Sequence, residues 1–272
     1  MFDKMPKGLW HIYPYDAKWD EKSAYNKIVI QRPPKNISKR LESLITEIAL
    51  DTYNILDCHD YGRVEVRVDK NDNPIGREEK MKCHLPKGKL HRAFTVLIFD
   101  KKGRLLLTKR SNVKMLWPDD WDGTVASHPR ESESYVSSAE RRLPEEIGIS
   151  SKLDYLFKFE YHVPYKNIGS ENEICGTLIG ILDSSSIIKL VKDEISDTVW
   201  ITPKELMNNL KKTPEVYCPW MLIALYLLPF SEIQMLNKYQ AILSEWIKND
   251  IKNALNLAIK FHLSDNNWRL VN

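Results

Sequence analysis

The sequence predicts an α+β fold, a mixed sheet packed between helices. Short runs rich in Val, Ile, Leu and Phe, bounded by turn signals, recur between 64 and 201. Helical patterns with recognisable caps fall between those runs and after them. The chain of 272 residues, 43% hydrophobic and 28% charged, has the composition of an ordinary globular protein.

The elements follow in order. Residues 1–63 read as an added N-terminal segment, aromatic at Trp10, Tyr13, Tyr15 and Trp19 and broken by Pro33 and Pro34. A helix is expected after Asn36 or Ser38, because Leu41, Leu44, Ile45, Ile48 and Ala49 recur at helical spacing. Its apolar face would pack on the main domain or on a second subunit. Val64, Val66 and Val68 alternate with charged residues, as in a strand. Asn71, Asp72, Asn73 and Pro74 signal a turn. The apolar run 94–99, a turn at Gly103 and the run 104–108 read as a hairpin. A helix is expected over 134–147, with Ser134 as N-cap and Gly148 as its stop. Pro144 inside it implies a kinked last turn or an earlier end. Residues 157–163 and 173–182 are strand-like. Val199, Trp200 and Ile201 precede a helix that starts at Thr202 and Pro203. Helices are expected over 219–228 and 231–263, the second with the stripe Met235, Leu236, Tyr239, Leu243, Trp246 and Ile247. The chain therefore divides into an N-terminal extension (1–63), a central domain (64–230) and a C-terminal helical extension (231–272).

Composition excludes several classes. A net charge of +3 lacks the concentrated basic face that nucleic-acid binding needs, while a small anionic ligand needs only a few cations placed locally. No apolar run approaches the length of a membrane span. The first 25 residues hold Asp3, Asp16, Asp20 and Glu21 and lack an apolar core, so no secretory signal is expected. Cys58, Cys83, Cys175 and Cys218 are widely spaced, which suits reduced thiols in the cytoplasm.

His84 and His91 flank a Lys-Gly-Lys segment, and His128 sits between Ser127 and Pro129. Strand alternation places Glu171, Glu173 and Cys175 on one face. Two carboxylates aimed the same way need a metal or a proton between them. Three histidines and two carboxylates suit an octahedral divalent ion such as Mn2+, Mg2+ or Zn2+. By spacing alone, surface histidines and a half-exposed strand are the favoured reading. Glu145 and Glu146 close a helix that also presents Arg141 and Arg142, and glutamates there can hold Mg2+ on phosphate oxygens. Arg110 and Lys114, four apart, read by themselves as a solvated helix face. Walker, GxGxxG, GxSxG, HExxH and zinc-finger spacings are absent.

These residues converge when taken in order. They are Asn73-Pro74-Ile75-Gly76, His84 and His91-Arg92-Ala93-Phe94, 105–110, Trp117-Pro118 and Trp121, Ser127-His128-Pro129, 141–148, Glu171-Asn172-Glu173, and Pro219-Trp220. Over roughly 64–230 the chain resembles type I isopentenyl-diphosphate isomerase, a member of the Nudix superfamily. The resemblance implies a Nudix-like α/β/α sandwich with a mixed sheet, to which this chain adds helices at both ends. It implies one divalent ion (Mn2+, Mg2+ or Zn2+) on His84, His91, His128, Glu171 and Glu173. It implies a second ion, Mg2+, on Glu146 and the carbonyl of Ala126. Lys80, Arg110, Lys114 and Arg142 match the cations that hold the diphosphate of an isoprenoid substrate. Catalysis in the family passes through a tertiary carbocation. Trp220 matches the indole that shields it, Glu173 matches one acid/base, and Tyr161 matches the tyrosine supporting that group.

The family's other acid/base is a cysteine directly before Gly-His-Pro or Ser-His-Pro, and here that position is Ala126. A methyl group neither donates nor accepts a proton, and such groups typically contribute ~10²–10⁴-fold each. Three readings follow. The protein isomerises with Ser127, Cys175, Cys218 or a water in the second transfer; it cyclises or rearranges a longer prenyl diphosphate; or it is a Nudix diphosphate hydrolase or a silent binder. Arg142 stands where hydrolases place a metal-binding carboxylate, which favours holding a diphosphate over cleaving it. Either a monomer or a homodimer fits, and Trp10, Tyr13 and Trp19 would cover a longer chain or simply pack on the core.

Overall fold

The run that begins at His91 is the spine of a ten-stranded mixed sheet. The computed structural model describes residues 2–3, 29–30, 64–68, 72, 74–130, 133–264 and 267–271. It falls into two units, Met1–Tyr61 and Gly62–Asn272. In the first, strand β1 (Phe2–Asp3) pairs antiparallel with β2 (Val29–Ile30). The aromatic positions Trp10, Tyr13, Tyr15 and Trp19 and the helix expected after Asn36 lie outside the described residues.

In the second unit, β5 (His91–Phe99) is apolar on both faces, as a strand covered on both sides must be. Alternation splits it: Ala93, Leu97 and Phe99 join one hydrophobic cluster, and Phe94, Val96 and Ile98 join the other. Its neighbour β10 (Gly169–Ile181) runs parallel to it, with Glu173 opposite His91. The main path is β11 (Ile195–Ile201), β6 (Leu105–Arg110), β5, β10, β9 (Leu153–Tyr165) and β12 (Trp268–Val271). The hairpin of β3 (Val64–Val68) and β4 (Pro74–Glu79) reaches β5 through the Arg67–His91 pair. Short strands β7 (Trp121–Asp122) and β8 (Val125–Ser127) add to β6 and β5. Every pairing other than β5–β10 is antiparallel, so the expected mixed sheet between helices is present.

Helix α1 (Lys80–His84) is a single short turn before β5 and had no periodic signal. Helix α2 (Tyr135–Ile147) covers one face with Ala139, Leu143 and Ile147. Ser134 and Ser137 cap it reciprocally, and Gly148 ends it at φ 68°. Pro144 neither stops nor shortens it: the helix runs on to Ile147, and Gly148 N–H donates to the Pro144 carbonyl. The other face is covered by α3 (Pro203–Leu210), capped by Thr202 with Glu205 in return, and by α4 (Pro219–Leu227), buried at every position but Tyr226.

The C-terminal region corrects the expectation of one long helix over 231–263. It forms α5 (Ile233–Lys238), α6 (Gln240–Leu243) and α7 (Asn249–His262), followed by β12. Two tertiary anchors override the continuous stripe. Tyr239 Oη, with Lys238 Nζ, is bound to the Asp154 carboxylate, and the chain leaves helical geometry there at φ −106°, ψ 16°. Trp246 Nε1 donates to the Gly103 carbonyl at 2.7 Å, and Lys248 is then extended at ψ 152°. Tyr239, Leu243 and Trp246 are buried, so the stripe still marks the packed face. Among the described residues, no helix is long and apolar enough to cross a membrane.

Candidate active site

Four elements deliver a cluster of imidazoles and carboxylates. Helix α1 carries His84, β5 opens with His91, the chain leaving β8 carries His128, and β10 supplies Glu171 and Glu173. One donor atom from each of these five lies within 4.8 Å of all the others. His84 Nε2 is 3.0 Å from Glu171 Oε2, while His91 Nε2 and His128 Nε2 are 3.4 and 3.1 Å from Glu173 Oε1. On their outer sides, His84 Nδ1 and His91 Nδ1 each lie 2.7 Å from a backbone carbonyl, of Lys80 and Lys89. Those contacts hold a proton on each Nδ1 and turn both Nε2 atoms inward, as in metal-ligating histidines. Burial lowers the His84 pKa, but the charge and hydrogen bond of Glu171 outweigh it and push it up to about 9. The cluster thus recruits positive charge, and its donors fit a divalent ion.

Tyr161 Oη donates to Glu173 Oε2 at 2.6 Å, so Glu173 shares its two oxygens between the phenol and the histidines. Burial, and then the Glu173 charge, push the Tyr161 phenol well above its usual pKa. Burial also raises Glu173, but His91 and Tyr161 more than offset it and hold the carboxyl below its usual value.

One cavity adjoins the cluster and is lined by Lys80, Arg110, Lys114 and Arg142 on its cationic side. Trp220, Tyr161, Ala126, Ser127 and Cys175 line it too, with Glu171, Glu173, His84 and His128. Arg110 and Lys114 are on no helix: Arg110 ends β6 and Lys114 lies in the loop beyond it. Trp117 adopts a left-handed φ of 48°. Arg110 Nη2 and Nε donate to the successive carbonyls of Leu116 and Trp117 at 3.0 and 2.9 Å. Arg142 is clamped by Glu145, Glu146 and Glu194, and Glu194 also binds Lys114. Glu146 therefore sits directly behind an arginine that faces the cavity. Cys218 is buried at the start of α4 and is not among the cavity-lining residues.

Two residues here escaped sequence reasoning. Glu194 has no periodic or motif signal, and only the fold brings it to Lys114 and Arg142. Asp122 is buried, its Oδ1 accepting from Trp220 Nε1 at 2.8 Å and its Oδ2 facing Arg110 Nη1 at 3.2 Å.

The NUDIX domain family profile matches residues 89–221, which span His91, His128, Glu171, Glu173 and Trp220. The isopentenyl-diphosphate Delta-isomerase of Haloarcula marismortui is 38% identical over 179 residues, covering 62% of this chain and 93% of the relative. The chain belongs to the type I isopentenyl-diphosphate Delta-isomerase family of the Nudix superfamily. Isopentenyl-diphosphate Delta-isomerase 2 of Photorhabdus laumondii is 41% identical, covering 57% of this chain and 86% of the relative. The Halobacterium salinarum isomerase is 37% identical, at 59% and 77% coverage. Family membership accounts for the mixed sheet between helices and for the buried histidine–glutamate cluster with the donors of a divalent metal site.

Proposed function

We propose that the protein acts on an isoprenoid diphosphate, protonates its double bond at the Tyr161–Glu173 pair and shelters the resulting carbocation against Trp220. The contact that carries this reading is the 2.6 Å bond from Tyr161 Oη to Glu173, on the wall of a cavity whose other side is cationic. Lys80, Arg110, Lys114 and Arg142 bind and orient the diphosphate, the arginines through forked donors. A divalent ion (Mn2+, Mg2+ or Zn2+) on His84, His91, His128, Glu171 and Glu173 would polarise the Glu173 carboxyl. Mg2+ on Glu146 and the Ala126 carbonyl would neutralise diphosphate charge and would compete with Arg142, whose Nε lies 2.9 Å from Glu146 Oε1. A proton passed from the Tyr161–Glu173 pair to the terminal alkene carbon leaves a tertiary cation at the branched carbon. The apolar wall and the indole face exclude water and stabilise that charge. Loss of a proton from the neighbouring methylene then gives the dimethylallyl isomer.

Ala126 presents a methyl group to the cavity, and burial pushes the Cys175 thiol well above its usual pKa, away from a thiolate base. Ser127 or a water is left to accept the second proton. Ala126 itself favours a second reading, in which the cation of a longer prenyl diphosphate is consumed by ring closure or rearrangement.

NMR of the protein with isopentenyl diphosphate, Mg2+ and Mn2+ in D2O tests both. Dimethylallyl diphosphate carrying deuterium supports isomerisation. No conversion and no exchange would overturn it, and longer prenyl diphosphates then separate cyclisation from hydrolysis and from silent binding.

A further inference from the structure

The indole of Trp220, buried on the cavity wall, is held by its edge. Its Nε1–H donates to Asp122 Oδ1 at 2.8 Å, and the same oxygen accepts from Gly123 N–H at 2.7 Å. Arg110 Nη1 lies 3.2 Å from Asp122 Oδ2, and Arg110 Cζ lies 5.2 Å from the centre of the Trp220 ring. Asp122 itself is 2% exposed and is not among the residues lining the cavity.

This arrangement poses an electrostatic conflict. A guanidinium over the ring draws on the same π density that would stabilise a carbocation, and its charge repels a second cation nearby. Arg110 does not need Asp122 for its geometry, because Leu116 and Trp117 already supply two carbonyl acceptors. Two N–H groups and no charge would be satisfied equally well by a neutral amide oxygen. What the carboxylate adds is its negative charge. Glu171 and Asp120 are also acids near Arg110, and Cys218 also faces Asp122; burial pushes both the Asp120 and Cys218 pKa values up.

We propose that Asp122 is a positioning residue for the carbocation: its carboxylate cancels the Arg110 charge beside Trp220 and, through the Nε1–H bond, turns the indole face to the cavity and enriches its π density. The inference rests on the carbocation reading above and specifies how a cation is tolerated next to an arginine. Burial raises the Asp122 pKa to about 6, with Arg110 opposing, so the group is ionised in weakly alkaline buffer.

The test compares two diphosphates of one shape by calorimetry, on the full chain with Mg2+ and Mn2+ in weakly alkaline buffer. In 2-(dimethylamino)ethyl diphosphate a protonated nitrogen stands at the position of the tertiary cation, and in 3-methylbutyl diphosphate a neutral carbon does. The wild type is expected to prefer the ammonium compound. Asp122→Asn keeps an acceptor for both N–H groups and is expected to weaken the ammonium compound by about tenfold, with the neutral compound nearly unchanged. A merely structural role would weaken both alike, and an unchanged preference in Asp122→Asn would overturn the proposal. Asp122→Ser gives the same readout if the amide does not fold. If the wild type binds neither diphosphate, the substrate reading falls and this one with it. If it binds both equally, only the carbocation reading and this inference fall.

Discussion

Glu173 divides its two oxygens between Tyr161 and the histidines, so losing either partner should act on chemistry more than on folding. Tyr161→Phe is expected to lower turnover by ~10²-fold or more, with little change in the Michaelis constant for the diphosphate, measured by product NMR. Glu173→Gln should abolish turnover and weaken metal binding together, which metal titration of the variant reads directly. Asp122 gives a stability prediction with a definite sign. Its pKa is raised from 3.8 to about 6, so the folded state holds the proton more tightly than the unfolded chain. Its contribution to stability is therefore full below the unfolded value and is lost as pH rises through the folded one. Relative to Asp122→Asn, the wild type should lose at most about 3 kcal/mol between pH ~4 and ~7 in urea unfolding. At this scale, the grouping of His84, His91, His128, Glu171 and Glu173 was legible through the family resemblance, since their spacing alone also fits surface histidines and a half-exposed strand. Asp122 was not, since its partner Trp220 arrives on a helix far along the chain and no local pattern announces the contact.

The elements were legible where a local rule also satisfies the tertiary structure. Ser134, Gly148 and Thr202 bounded their helices because each meets an orphan backbone group by itself, and Pro203 at the first position has no N–H to leave orphaned. Gly148 does more than end α2. A Cβ there would stand 2.8 Å from Lys189 Cβ, in a turn at φ 68°. Lys189 and Val191 N–H donate to the last carbonyls of α2, and the turn that follows, just before β11, brings Glu194 to Lys114 and Arg142. Gly148→Ala should cost about 1–3 kcal/mol in thermal unfolding and loosen that segment, read as faster amide exchange over 189–194. The C-terminal helix was misjudged because its stripe is continuous from Met235 to Ile247, while the breaks come from Asp154 and Gly103 on distant elements. β12 is four residues long, and nothing in it predicts an edge position beside β9.

At the scale of the molecule, five candidate metal-binding side chains, four buried and His128 partly so, come from four separate segments and make the candidate site a tie between elements. Stripping divalent ions with EDTA should lower the unfolding midpoint by several degrees, and adding Mn2+ or Mg2+ should raise it in proportion to the logarithm of ion concentration. A midpoint indifferent to both would mean that the cluster binds no ion. The order of synthesis gives β12 a separate significance. Trp268 is the backbone partner of Tyr161, and at ~5–20 residues per second roughly 5–20 s separate their emergence from the ribosome. Throughout that interval β9 presents an open edge to solvent or to a neighbouring nascent chain. Chains stalled short of 268 are thus expected to be held by chaperones, and release should coincide with the emergence of the closing strand.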